Sequence, residues 1–204
     1  MNIEVSIGEA VDKYSILELK QKKIKDSGKL VEVAKELDTL QECKVIIEQN
    51  RYYYNLLLHI NELIWDMTDQ IKAMNSIDFS DQLKNREYAI ISKNIFDTNQ
   101  KRFRIKRIFN LTSNIKEQKS YAETMCHIII DNNQTAFNKI AEINYLSIEY
   151  DSIFIDLCYR NLFPYITNFS NNPNRTATII HVTDFTLNDS DKSLYNYHQS
   201  LFPQ

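Results

Sequence analysis

The chain has 204 residues, 43% of them hydrophobic, and a net charge of −3. That suits one domain, or one domain with a smaller appendage, and excludes a globally disordered chain. So slight an acidic balance gives no general drive toward nucleic acid or an anionic membrane.

Glycine occurs only at Gly8 and Gly28, and the first proline is Pro164. The main helix breakers are therefore missing between Gly28 and Pro164, and long helices are expected there. The first helix is predicted over residues 6–26. Ile7, Ala10, Val11, Tyr14, Leu17 and Ile24 recur at three- and four-residue steps and form one apolar stripe. Ser6 suits the N-cap, with Glu9 three residues on as in a capping box. Asp26, Ser27 and Gly28 are expected to end this helix, Gly28 taking the left-handed C-terminal position.

A second helix starts near Lys29, where Leu30, Val33, Leu37 and Leu40 are spaced as a coiled-coil seam. It is read either as one helix to about Asn75, spanning roughly 70 Å, or as two joined near Asn50. Residues 76–80 make a turn, and Ser80 is placed as the cap of a third helix over 81–110. Ile91, Ile95, Ile105 and Phe109 form its seam. Residues 110–121 read as a polar loop.

The last third changes character. Residues 126–131, 152–157 and 176–182 are short, β-branched runs, and 133–150 reads as helix between the first two. A strand–helix–strand unit points to a small parallel sheet. Residues 168–176 read as a loop, and the chain after Asp184 as a polar tail. Residues 1–121 carry 20 basic against 18 acidic side chains, and residues 122–204 carry 4 against 9. The organisation expected is a helical bundle domain over 1–121 and a small α/β segment with a polar C-terminal tail over 122–204. The fold class is mainly α, an antiparallel long-helix bundle or coiled-coil hairpin ahead of that segment.

Cys43, Cys126 and Cys158 are widely spaced and odd in number, and read as buried thiols in a reducing compartment. MNIEVSIGEA has no basic leader followed by an apolar run, and no stretch is long enough to span a bilayer. A cytoplasmic location is the corresponding expectation.

Three polar stripes stand out. In the first helix Glu18 lies roughly 20° from Ile7 on the helical wheel, inside the main apolar stripe. Asp12 lies between Ile16 and Leu19, a second apolar strip on the opposite side. Both carboxylates are expected to be partly buried, and a buried carboxylate needs a cation, hydrogen bonds or a raised pKa. In the third helix Asn99, Arg102, Lys106 and Asn110 share a face; in the second, Asn61, Trp65, Asp69 and Lys72 do. The stripes either pair with one another inside the bundle or line a ligand or metal site. In the site reading Asp12, Glu18 and Asp69 hold Mg²⁺, while Arg102, Lys106 and Lys119 neutralise phosphate. Phe103 and Phe109 interleave the cations but suit core packing, which argues against an RNA surface.

No Gly-rich loop follows a strand, so neither a P-loop nor a dinucleotide fingerprint is present. His59, His127, His181 and His198 have no metal-ligand spacing, and no nucleophile elbow exists. Glu62, Asp66 and Asp69 only approximate the carboxylate pairing of an all-helical nucleotide pyrophosphohydrolase. Asp131 and Asp184 fall at the C-terminal ends of predicted strands, where α/β sheets bind ligands and where aspartates also cap loops.

The segments SIGEAVDKYSILELK, NELIWDMTDQIK, IFDTNQKRFRIKRIFN and KEQKSY, in that order, resemble the motifs of an uncharacterised bacterial domain-of-unknown-function family over about residues 3–121. The matched positions include Gly8, Glu9, Asp12, Lys13, Glu18, Lys20, Asn61, Trp65, Asp69, Asn99, Arg102, Lys106, Lys119 and Tyr121. Thr68 and Lys72 stand where that pattern has an acid and an arginine. The resemblance implies a setting of glycosyltransferases and surface polysaccharide, and no reaction. Two functions follow as expectations. One is a non-catalytic interaction or assembly module, forming a homodimer or docking a glycosyltransferase-type partner. The other is Mg²⁺-dependent binding or hydrolysis of a phosphorylated small molecule such as a nucleotide or nucleotide sugar. The ligand-binding candidates are Asp12, Lys13, Glu18, Asn61, Trp65, Asp69, Asn99, Arg102, Lys106, Lys119 and Tyr121.

Overall fold

The computed structural model describes residues 5–74, 80–111, 124–159, 162–163, 168–169 and 177–184. The predicted turn at 76–79, the loop over 112–121, the loop residues 170–176 and the tail beyond 184 lie outside the described residues. The chain divides into two compact units, 1–117 and 118–204. The first is helical; the second holds a small parallel sheet.

In the first unit α1 (Ile7–Lys23) starts as expected: the Ser6 side chain accepts from the Glu9 amide. Its end differs. The cap residue Ile24 is extended, and Asp26 opens a new helix, α2 (Ser27–Asp38), by accepting from the Lys29 amide at 3.1 Å. Gly28 thus lies in the first turn of α2 rather than at the end of α1. The physical reason is that Asp is a stronger N-cap than Gly is a terminator when the next residues are good helix formers.

The long second helix is broken twice, so the unbroken rod is not formed. Between α2 and α3 (Cys43–Gln49), Thr39 Oγ1 donates to the Glu36 carbonyl and Gln41 Nε2 to the Leu37 carbonyl. Those side chains satisfy carbonyls that another helical turn would have used, and the backbone tightens to three-residue bonds. The second break falls at Asn50, one of the two alternatives read from the sequence. Its backbone leaves the helical region and α4 (Arg51–Ala73) follows.

α4 buries Tyr53, Leu56, Leu57, Ile60 and Asn61, a three- and four-residue spacing that presents one stripe. α5 (Gln82–Leu111) is capped by Asp81, not Ser80: Asp81 Oδ1 accepts from the Leu83 and Lys84 amides. Only the later part of α5 is sealed, by Ile105, Ile108 and Phe109, while Ile91 and Ile95 are half-buried. α1 packs against α2, α4 and α5, as its two apolar faces required. Each fully buried Leu or Ile in this core contributes about 1.5–3 kcal/mol.

In the second unit β1 (Met125–Ile129) lies between β2 (Ser152–Ile155) and β4 (Thr178–His181), and β3 (Asn168–Phe169) flanks β2; every pairing is parallel. β3 falls where a loop was expected. Two short helices, α6 (Asn133–Asn138) and α7 (Ile140–Glu149), replace the single predicted helix, with Lys139 leaving helical geometry between them. Cys126, Ile128, Ile153 and Ile155 pack with Ile143 and Leu146 of α7. On the alternate register His127 stacks on Phe154, with ring planes 7° apart. Asp151 ties the strand starts together: its Oδ2 accepts from the Thr124 amide and hydroxyl, both at 2.9 Å.

Candidate functional site

The polar stripes of α1, α4 and α5 meet. Asp12, 3% exposed, is held by Arg102 through two bonds. Arg102 Nε donates to Oδ1 at 2.9 Å and Nη2 to Oδ2 at 2.6 Å. The fork of the guanidinium matches the carboxylate edge, the strongest geometry such a pair has. Asn61 Nδ2 adds bonds to Asp12 Oδ1 (3.1 Å) and Ser15 Oγ (2.7 Å), and Ser15 Oγ donates to the Asp12 carbonyl (2.8 Å). Arg102 Nη1 reaches Asn99 Oδ1 at 3.4 Å. Burial by itself lowers the Arg102 pKa, but the bonds and charge of Asp12, with the charge of Glu9, outweigh it and leave the guanidinium raised.

The same α1–α5 seam continues one turn away. Lys106 Nζ pairs with Glu9 at 2.7 Å, and Asn110 Oδ1 accepts from the Gly8 amide at 2.7 Å. These contacts run in opposite order along the two helices. A Cβ at Gly8 would overlap the Lys106 carbonyl oxygen and lie 2.8 Å from Asn110 Oδ1, so only glycine permits this approach. Toward the other end of α1, Glu18 accepts from the Tyr54 hydroxyl at 2.7 Å. Burial, together with the bond and charge of Glu18, drives the Tyr54 phenol pKa up. Ser15 and Tyr54 were not singled out as site residues; a hydroxyl three residues from Asp12 and a Tyr on the buried face of α4 were the available signals.

Other candidates are paired away from Asp12. Lys13 pairs with Glu36, both half-exposed, and Lys72 pairs with Asp69 on the surface. Lys119, Tyr121 and His198 lie outside the described residues. The proposed Mg²⁺ ligands are not gathered: Asp12 faces Arg102, Glu18 faces Tyr54 and Asp69 faces Lys72. Among the described residues no group of three potential metal-ligating side chains forms. The cause is helical phase: each carboxylate leaves its helix toward a different neighbour.

Trp65, on the face it shares with Asn61, Asp69 and Lys72, is half-buried beside a cleft of about 200 Å³. α1 contributes Ile16 and Leu19, α4 adds Ile64 and Trp65, and Asn61 and Arg102 are also in its lining. Thr68, Asp69 and Lys72 complete it.

In the second unit Asp131 and Asp184 are exposed beyond the ends of β1 and β4. Asp156, beyond β2, was missed; its Oδ1 accepts from the Cys158 amide, and that bond lowers its pKa. Cys43 and Cys126 are buried, but Cys158 is exposed in the turn after β2, against the expectation of three buried thiols.

A helical unit braced by a buried Asp12–Arg102 ion pair, followed by a parallel-sheet unit, is the class of protein these observations define. The chain belongs to the family of unknown function DUF6165, which it matches over residues 1–143. The match runs past the motifs ending at Tyr121 and takes in β1, α6 and the start of α7. No curated protein and no solved structure matches the chain. No described helix is long and apolar enough to cross a membrane.

Proposed function

We propose that this chain is a non-catalytic helical interaction or assembly module, in which α4 and α5 form an antiparallel hairpin that binds a second copy or a glycosyltransferase-type partner in a surface-glycan system. One observation carries the reading. α5 is 30 residues long, yet its first half exposes Leu83 (80%), Ile90 (51%) and Phe96 (64%). Large apolar side chains left outside the core of a helical rod favour a protein partner. Inside the unit, Asp12 with Arg102 and Glu9 with Lys106 neutralise each other. That gives the charged stripes a bracing role and favours the module over a phosphate-gripping enzyme.

The test starts with a second copy as the partner. Sedimentation equilibrium of the wild type is expected to show concentration-dependent dimers. L83E/I90E/F96E is expected to be monomeric with unchanged helical circular dichroism. A monomeric wild type that the substitutions leave unaltered would sink the self-assembly form of the proposal. In a thermal-shift screen of nucleotides and nucleotide sugars, no saturable shift is expected to require Mg²⁺ or the phosphate groups. A saturable shift that requires both Mg²⁺ and the phosphate groups would favour the phosphorylated-ligand alternative instead.

A further inference from the structure

The floor of the cleft between α1, α4 and α5 is chemically specific. The amide of Asn61 has one reading only: its Nδ2 donates to Asp12 Oδ1 and Ser15 Oγ. The carboxylate oxygen cannot donate, and the Ser15 hydrogen is committed to the Asp12 carbonyl. Asn61 Oδ1 is therefore an acceptor with no donor among the described residues, on a residue 5% exposed that lines the cleft. Beside it, Arg102 spends three N–H groups on Asp12 and Asn99. A guanidinium carries five, so two have no bonded acceptor among the described residues, on a side chain that lines the cleft. The walls are apolar: Ile16, Leu19, Ile64 and the Trp65 ring.

Charge decides the ligand class. The Arg102 cation is already matched by Asp12, and at the rim Lys72 is matched by Asp69 at 3.2 Å. Among the described residues lining the cleft both cations are paired, Arg102 at the floor with the buried Asp12 and Lys72 at the exposed rim with Asp69, so an anion at the floor has to compete with a buried carboxylate for the guanidinium. We infer that this cleft binds a small neutral ring compound whose edge presents a carbonyl to Arg102 and an N–H to Asn61 Oδ1, that is, an amide or lactam on an apolar ring. The volume agrees: cavities of about 150 Å³ lined by aliphatic side chains admit a benzene-sized ring, and this one is about 200 Å³. The inference goes beyond the module reading and does not depend on it.

Trp65 is the only tryptophan in the chain and lines the cleft, so its fluorescence reports occupancy. The full chain is titrated with benzamide, benzoate and toluene. Benzamide is expected to quench Trp65 saturably and to bind at least about tenfold more tightly than either of the others, the equivalent of one net hydrogen bond. Intermolecular nuclear Overhauser effects from its ring to Ile16, Leu19, Ile64 and Trp65 locate it independently of any variant. T68F, which fills the cleft from the rim and leaves Asp12, Asn61 and Arg102 untouched, is expected to abolish the response with unchanged melting. No saturable quench, benzoate or toluene binding as well as benzamide, or undiminished binding by T68F would each overturn the assignment.

Discussion

Replacing Arg102 by Met tests the idea that α1 and α5 are held by a desolvated ion pair. Met keeps most of the apolar stem and removes every donor. Asp12 is then left 3% exposed, with Asn61 Nδ2 as its remaining side-chain donor. Removing one member of a buried pair costs about 3–5 kcal/mol, because the other charge stays buried without its partner. The Arg102 side chain is 23% exposed and that of Asp12 4%, so solvent screening takes little from this figure. With a urea dependence of about 2 kcal/mol per molar, the unfolding midpoint should fall by about 2 M. Trp65 fluorescence follows the helical unit selectively, since the chain's one tryptophan lies in α4. D12L/R102M should cost less than R102M alone, because it removes the stranded charge along with its partner. A midpoint shift under about 0.5 M for R102M, well below the range for a buried pair, would refute the reasoning. So would a double variant as costly as the two single changes added together.

Further expectations concern glycine, thiols and pH. Gly8→Ala should destabilise the helical unit by at least about 2 kcal/mol, as overpacking against backbone does. Gly28→Ala meets only Asp26 Oδ1 at 3.3 Å and should be neutral or stabilising by about 0.4–1 kcal/mol; urea denaturation measures both, and equal effects would contradict the packing described. Under native conditions a thiol reagent should modify Cys158 alone, as read by mass spectrometry. Cys43 is buried, and burial pushes the Cys126 thiol up to about 12. Modification of Cys126 before Cys158 would be incompatible with this burial. Burial also lowers the His127 pKa, against a smaller opposing pull from Asp156. The unfolded chain then binds more protons than the folded one just below the ordinary histidine value of about 6.5. Stability is fully present above that value and declines as pH falls toward the depressed folded pKa, by up to about 1.4 kcal/mol per pH unit. A nuclear magnetic resonance titration placing His127 at or above 6.5 in the folded protein would remove the effect.

Much of this architecture is written locally. Two glycines and a late first proline specify helices through α5, and Ser6 marks where the first begins. The β-branched runs around Cys126, Ile153 and Ile179 specify strands. Polar residues inside apolar stripes announced that Asp12 and Glu18 needed partners, because burying an unpaired charge is costly wherever the chain goes. What local pattern could not supply was helix phase and closeness. Whether Thr39 and Gln41 turn back onto their own backbone depends on a near balance between two ways of satisfying the same carbonyls. That Asp12 takes Arg102 while Asp69 is left to Lys72 follows from how α1, α4 and α5 rotate to bury Leu57, Ile60 and Ile105. The cleft beside Trp65 and the need for glycine at position 8 exist only between helices, so tertiary packing alone decided them.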